Sequence, residues 1–334
     1  MNAGHTMISG SRMTRTSDAS PSCCTPRREA AGAVRKPARG DLPVVGAPAG
    51  RGAPKRVRID PCTFMMGSAD PAAHPLDGEG PVRAIALDAF EIAVYATTNA
   101  EFAEFVAATH YRTEAESFGW TFVFDAFTGL GETEAPRLPS APWWRRVEGA
   151  CWSAPEGPGS SVDDRAMHPV VHISHGDAQA YCDWVGARLP SEAEWECAAR
   201  GGLVQKRYPW GDDLMPAGKH ACNIWQGTFP RENTMEDGYA GTAPVDAFRP
   251  NGFGLFNAVG NTWEWCSDWF DPGYHARATF ENPAGPPNGT AKVMRGGSYL
   301  CHSSYCFRYR TSARSSAPPD TSTGHLGFRT ARSL

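Results

Sequence analysis

At 334 residues and 41% hydrophobic content, the chain can hold one large domain or two with an ordinary core. Its apolar runs are too short to span a bilayer, and 35 Gly, 28 Pro and 11 Trp indicate a loop-rich fold stapled by aromatics. Residues 1–58 carry 11 Lys/Arg against 3 Asp/Glu, so the total of −4 leaves −12 on the remainder, an acidic body that disfavours nucleic acid as its main partner.

In chain order, residues 1–56 are rich in Arg, Ala, Gly, Pro and Ser, lack an apolar period, and read as a disordered basic extension. The twin arginines Arg27 and Arg28 precede no hydrophobic stretch, so no export signal is read and a cytoplasmic protein is expected. Ten scattered cysteines are then expected to be mostly reduced, with Cys182 and Cys197 as small core residues. The folded region, 57–332, opens with VRIDPCTFMMGS, which reads as one short strand ending at a glycine turn. Thr98 or Asn99 caps a helix carrying Phe102, Phe105 and Val106 on one face. Residues 125–165, including APWWRRVEGACW, read as a long loop of the kind that is commonly functional. HPVVHISHGDAQAYCDWVGARLPSEAEWECAARGG predicts two short helices. The second has a capping box over Ser191 to Glu194 and a stop at Gly201-Gly202. Short strands and turns follow, without a solenoid repeat, which makes the whole an α+β domain with much irregular structure.

Several common engines are missing: there is no P-loop, no H-E-x-x-H and no C-x-x-C, and GFGLFNAVG lacks the third glycine of a dinucleotide fingerprint. His168, His172 and His175 cluster in sequence, with a structural role favoured over metal binding. Two amide- and acid-rich stretches are better candidates. Asn223 and Asp237 flank one loop, and Asn257, Asn261 and Glu264 recur within another; these hard oxygens suit Ca²⁺ or simply hold turns, and the spacing is not that of an EF-hand. Cys301 and Cys306, five residues apart, share no face of a helix or strand. Arg295, Arg308, Arg310 and Arg314 surround them in sequence, and nearby cations favour thiolates. Two thiolates are too few for closed zinc and suit Cu(I), although spacing alone favours a small-loop disulfide.

The segment RGGSYLCHSSYCFRYRTSARSSAPPDTSTGHLGFRTA closely resembles the C-terminal block of the formylglycine-generating enzymes. HPVVHIS, RLPSEAEWECAARGG, NIWQGTFP, EDGYAGTAPVDAF and PNGFGLFNAVGNTWEWCSDW extend the likeness from about Val57 to Ala331. The resemblance implies a fold related to C-type lectins. It also implies a monomeric oxidase that uses O₂ to convert the cysteine of a C-x-P-x-R motif, in an unfolded or nascent sulfatase polypeptide, to formylglycine. Cys301 and Cys306 would then bind Cu(I), joined by the substrate thiolate, with Ser298 beside them, Trp263 as a wall and Tyr305 packing near the substrate proline. One structural calcium would use Asn223 and Asp237 with the carbonyls of Ile224 and Tyr239. A second would use Asn257 and Glu264 with the carbonyls of Gly260 and Thr262. Thr311 and Thr330 stand where secreted members place cysteines, which leaves Cys182 without a mate; His175 and His325 replace a usual Trp and a frequent Asn. Some eukaryotic members hold the substrate arginine with an acid near the position of Trp120, so the sequence assigns no such clamp here. Two other readings remain: an iron-dependent sulfoxide synthase of the same fold, which would lack the paired cysteines, and a non-catalytic lectin-like binding module.

Overall fold

The structure, a computed structural model, describes residues 26–28, 54–74 and 76–334. The expected disorder of the N-terminal extension therefore falls outside the described residues, except at positions 26–28. Five α-helices are described: α1 (Asn99–Thr109), α2 (Glu114–Phe118), α3 (Asp125–Thr128), α4 (His175–Trp184) and α5 (Glu192–Arg200). All but α3 open on a reciprocal capping box, Thr98 with Glu101, Thr113 with Glu116, Ser174 with Asp177 and Ser191 with Glu194. Each box satisfies orphan N–H groups in a helix too short to persist alone. What holds the helices is packing: Phe102 and Phe105 of α1 meet Tyr181 of α4 at ring-centroid distances of 6.0 and 5.7 Å.

The first strands are β1 (Arg56–Ile59), β2 (Cys62–Met66), β3 (Arg83–Leu87), β4 (Phe90–Ala93) and β5 (Trp120–Phe124). Then come β6 (Arg137–Leu138), β7 (Ala141–Glu148), β8 (Gly227–Thr228), β9 (Glu232–Asn233) and β10 (Trp263–Trp269). The last are β11 (Lys292–Arg295), β12 (Arg314–Ala317), β13 (Leu326–Phe328) and β14 (Ala331–Ser333). The segment read as one opening strand is two, in different sheets, because Asp60 and Pro61 break it. The stretch APWWRRVE, read as loop, forms the eight-residue β7 paired along β5. Its alternation of buried Arg145 and Val147 with exposed Arg146 and Glu148 was hidden by the charge of Arg145 and by the flanking Pro and Gly. The central sheet has the order β12-β11-β10-β13, with β10 and β13 parallel. Trp263, Trp265 and Cys266 on β10 are fully buried, so this sheet is covered on both faces.

The interior is also ionic. Glu192 on α5 takes Arg314 at 2.7 Å and Arg295 at 3.2 Å; Glu196 takes Arg200 at 2.7 Å and also pairs with Arg295. Arg308 pairs with Asp77, and Arg310 with Glu79 at 2.6 Å, all buried. The four arginines near the cysteines, expected to favour thiolates, thus have carboxylate partners and act as structural ties. The three histidines are structural as expected: His168, His172 and His175 bond Thr242 Oγ1, the Pro155 carbonyl and the Cys266 carbonyl.

Breaking one buried pair leaves an uncompensated charge, a loss of about 3–5 kcal/mol. Arg310→Leu should lose about that much in urea unfolding, and adding Glu79→Leu should restore most of it. Equal stability of the single and double variants would contradict the pairing.

The carboxyls also set a pH dependence. Burial pushes Asp177 up to about 6 and, together with the charge of Glu192, Asp268 up to about 7. Burial also pushes Glu192 and Glu196 up, but the guanidiniums of Arg314, Arg295 and Arg200 outweigh it and hold both below the usual carboxylate range. The raised pair contributes stability that is present below the ordinary value of 3.8 and lost as pH rises through about 6 to 7. The depressed pair contributes stability present above the ordinary value of 4.5 and lost as pH falls below it. Unfolding free energy should therefore decline from about pH 5 to 8, and Asp268→Asn should shrink that decline. A variant profile identical to the parent's would remove Asp268 as its source.

Candidate active site and metal loops

Cys301 closes a tight turn in which its N–H donates to the Ser298 carbonyl at 2.9 Å and the Ser298 N–H reaches Cys301 Sγ at 3.4 Å. In the next turn the N–H groups of Tyr305, Cys306 and Phe307 all donate to the His302 carbonyl, with Phe307 at φ 42. The backbone between the cysteines is irregular, as their spacing requires. Both cysteines are buried in one core cluster and neither is in a disulfide, so the small-loop disulfide that spacing favoured is not formed. The segment enters from β11 through Gly297 at φ 76, where a Cβ would lie 2.9 Å from the Arg308 carbonyl oxygen. Only glycine permits that crossing.

Beside Cys301 is a cavity of about 10 Å³, lined among others by Trp263, Ser298, Tyr305, Trp144 and His325. That is room for roughly one water-sized molecule. Four sequence-predicted residues (Cys301, Ser298, Trp263 and Tyr305) thus meet here, while Cys306 lies in the adjoining core. Tyr305 stacks on Phe229 at 4.3 Å and meets the edge of Trp143 at 4.8 Å, forming an aromatic wall. His325 was visible in the sequence only as a departure from a frequent Asn. Its Nδ1 is 3.0 Å from Ser298 Oγ, and its ring meets Trp144 edge-on at 4.7 Å. Trp143, Trp144 and Phe229 were also missed, since one sat in an apparent loop beside the other and the third in an apparent turn. A larger cavity of about 430 Å³, bordered by Tyr299, His172 and the Glu156–Arg165 ion pair, contains none of the predicted residues and no cysteine.

The amide-rich loops lie against each other. Gly260, at φ 76, approaches so closely that a Cβ would sit 2.4 Å from the Asn223 carbonyl oxygen. Asn261, itself at φ 60, donates its N–H to that same carbonyl, and its side chain bonds Ala243 and Asn223. Its own carbonyl accepts from Tyr299 N–H at 3.0 Å, which ties the loops to the cysteine turn. Asn261 is thus a backbone clamp.

The remaining candidates offer a hard-oxygen set. Asn223 Oδ1 and Asn257 Oδ1 are buried with no partner, while their amide nitrogens donate to the carbonyls of Gly241 and of Pro244 and Val245. Flipping either amide would set oxygen against oxygen, so the orphaned atoms are the oxygens. Asp237 accepts from the N–H groups of Ile224 and Tyr239, and burial pushes its carboxyl up, a cost that a cation would relieve. Glu264 accepts from Arg329 at Nε and Nη2 and from Trp195 Nε1, each at 2.7 Å. A carboxylate offers about four lone-pair positions, so Glu264 retains the least capacity. The donor types present fit calcium.

No described helix is long and apolar enough to cross a membrane. The sulfatase-modifying factor enzyme 1-like domain family matches residues 43–334. The formylglycine-generating enzyme of Thermomonospora curvata is 58% identical over 279 residues, covering 82% of this chain and 92% of the relative. That of Bos taurus is 53% identical over 288 residues, covering 85% and 76%. Among solved structures, PvdO from Pseudomonas aeruginosa superposes with a TM-score of 0.63 at 23% identity, over 85% of this chain and 96% of that one, a likeness of fold alone. With the buried cysteine pair in its turn and the family match spanning the whole folded region, this chain belongs to the formylglycine-generating enzyme family.

Proposed function

We propose that this chain is an oxidase that converts the cysteine of a C-x-P-x-R motif in an unfolded or nascent sulfatase to formylglycine with O₂. The observation that carries the reading is a pair of buried cysteines outside any disulfide, Cys301 lining a water-sized cavity and Cys306 in the core beside it, in a member of this family. In this reading the substrate thiolate joins the pair as a third sulfur, as the family resemblance implies. The two soft donors fit Cu(I). When bound there, copper would supply the one-electron chemistry towards O₂ that a thiol alone lacks.

The protein's own side chains do the rest. Trp144 and Trp263 wall the cavity against bulk water. Ser298, fully buried and bonded to His325, presents a hydroxyl where polar reactants would meet the thiol. The stacked rings of Tyr305 and Phe229 give a flat apolar surface suited to the motif's proline. Calcium at the Asn223/Asp237 and Asn257/Glu264 loops would order segments that bury little apolar surface of their own. A reducing cytoplasm suits a protein whose described cysteines are all outside disulfides, and the protein is read as a monomer.

Incubation with Cu(I), O₂, a thiol reductant and a C-x-P-x-R peptide should give an aldehyde product by mass spectrometry. Cys301→Ala and Cys306→Ala should each reduce it to background with an unchanged melting profile. Near-normal turnover in either variant would sink the two-thiol site.

Chelating calcium should lower the melting temperature, since a site held at 100 times its Kd adds about 2.7 kcal/mol. Asn223→Ala and Asn257→Ala should each diminish the response. A melting temperature indifferent to calcium in the parent protein would count against both sites.

A further inference from the structure

The N-terminal extension contains the run Cys24-Thr25-Pro26-Arg27-Arg28, which matches C-x-P-x-R position for position. Its last three residues are described, and their exposure follows the motif. Pro26 is buried, Arg28 is half-buried and Arg27, at the variable position, faces solvent. The two fixed residues turn inward.

Arg28 occupies a built seat. Its guanidinium lies 4.2 Å from the ring centroids of both Phe118 and Trp120. Its nitrogens donate to Ser322 Oγ at 2.7 Å, to the Trp120 carbonyl at 3.0 Å and to the Asp320 carbonyl at 3.2 Å. Burial pushes the guanidinium down to about 10, against the favourable charges of Asp320, Glu114 and Asp177 and with the opposing charge of Arg146. The seat adjoins the reaction cavity through the backbone. Ser322 is three residues from His325, which lines that cavity and bonds Ser298, and three residues span at most about 10 Å.

We infer that Pro26–Arg28, the described end of the chain's own C-x-P-x-R run, dock in cis as a substrate mimic, with Arg28 filling the seat that receives the arginine of an incoming C-x-P-x-R peptide. The inference rests on the proposed function for its substrate motif. Because Arg28 belongs to the same chain as the seat, docking is intramolecular and needs no second molecule. A sulfatase peptide must displace that arginine. If the seat is filled in about nine molecules of ten, the apparent Kd for the peptide is raised about tenfold.

The test is binding of a fluorescein-labelled S-T-P-S-R peptide, which lacks the reactive thiol and reports without turnover. Fluorescence anisotropy on the full chain should give a Kd about tenfold lower for Arg28→Ala than for the parent, with Arg27→Ala unchanged. In the aldehyde assay, Arg28→Ala should lower KM and leave kcat alone. Trp120→Ala in the Arg28→Ala background should weaken the peptide again. Equal Kd values for the parent and Arg28→Ala would overturn cis docking while leaving the proposed function standing. An equal gain from Arg27→Ala would overturn it too, by reducing the effect to net charge. Absence of peptide binding in every variant would overturn it together with the substrate assignment.

Discussion

The cysteine segment, residues 295–314, has almost no regular hydrogen bonding of its own, and buried ion pairs hold it in place. Arg295 fixes its entry to Glu192 and Glu196 on α5. Arg308 and Arg310, just past Cys306, fix it to Asp77 and Glu79, and Arg314 returns it to Glu192. A segment that buries two cysteines five positions apart in one core cluster is not served by a regular helix or strand. Nor can apolar packing alone specify it, because packing is tolerant of small slips whereas a bidentate guanidinium pair is directional. The arrangement is costly: several charges are taken out of water, and such pairs return little net stability. Its benefit is register. Each arginine admits one loop geometry, and together they leave the cysteine turn one place to be.

The same logic extends to the amide loops. Asn261 and Gly260 bring the Asn223 loop, the entry to β10 and the cysteine turn within one set of backbone hydrogen bonds. The orphaned oxygens of Asn223 and Asn257 are the open ends of that set. Buried carbonyl oxygens without partners are unfavourable by roughly 1–3 kcal/mol each, so a hard cation there would stabilise the loops and, through the Asn261 carbonyl and Tyr299 N–H, the neighbourhood of Ser298. A cation held there would be mechanically coupled to the cysteine turn without sharing a ligand with it.

What was legible in the sequence was local. The start of α5 could be read because its capping box is written in four consecutive residues, whereas α2, which carries the same box over Thr113 and Glu116, was not read because its five residues show no apolar period. The cysteine pair, also a local pattern, was legible as an irregular turn. The strand β7 was not, because its partner β5 is distant in sequence and its own flanks carry loop residues. The arginines were seen but misassigned, since Asp77, Glu79, Glu192 and Glu196 lie about 100 to 230 residues away and sequence proximity to the cysteines was the only cue. Cys197 proved buried as expected, yet its sulfur lies 3.5 Å from that of Cys62, a contact between β2 and α5 that no spacing announces. His325 became a cavity residue only when β13 was placed beside β10.

The arginine seat shows why a missing acid need not mean a missing function. A carboxylate at the position of Trp120 would give a guanidinium a charge-assisted partner, roughly twice as strong as a neutral one. Here the seat is two ring faces, two backbone carbonyls and one hydroxyl. Cation–π contacts contribute about 0.5–2 kcal/mol each, and neutral hydrogen bonds about 0.5–1.5 kcal/mol. An occupant tethered to the fold gains its advantage from effective concentration rather than from a strong contact. A carboxylate would hold the tethered arginine against most competitors, whereas dipoles and rings hold it loosely enough to exchange. A seat of moderate strength is therefore the form that suits a site shared between the chain's own N-terminal motif and a transient polypeptide substrate.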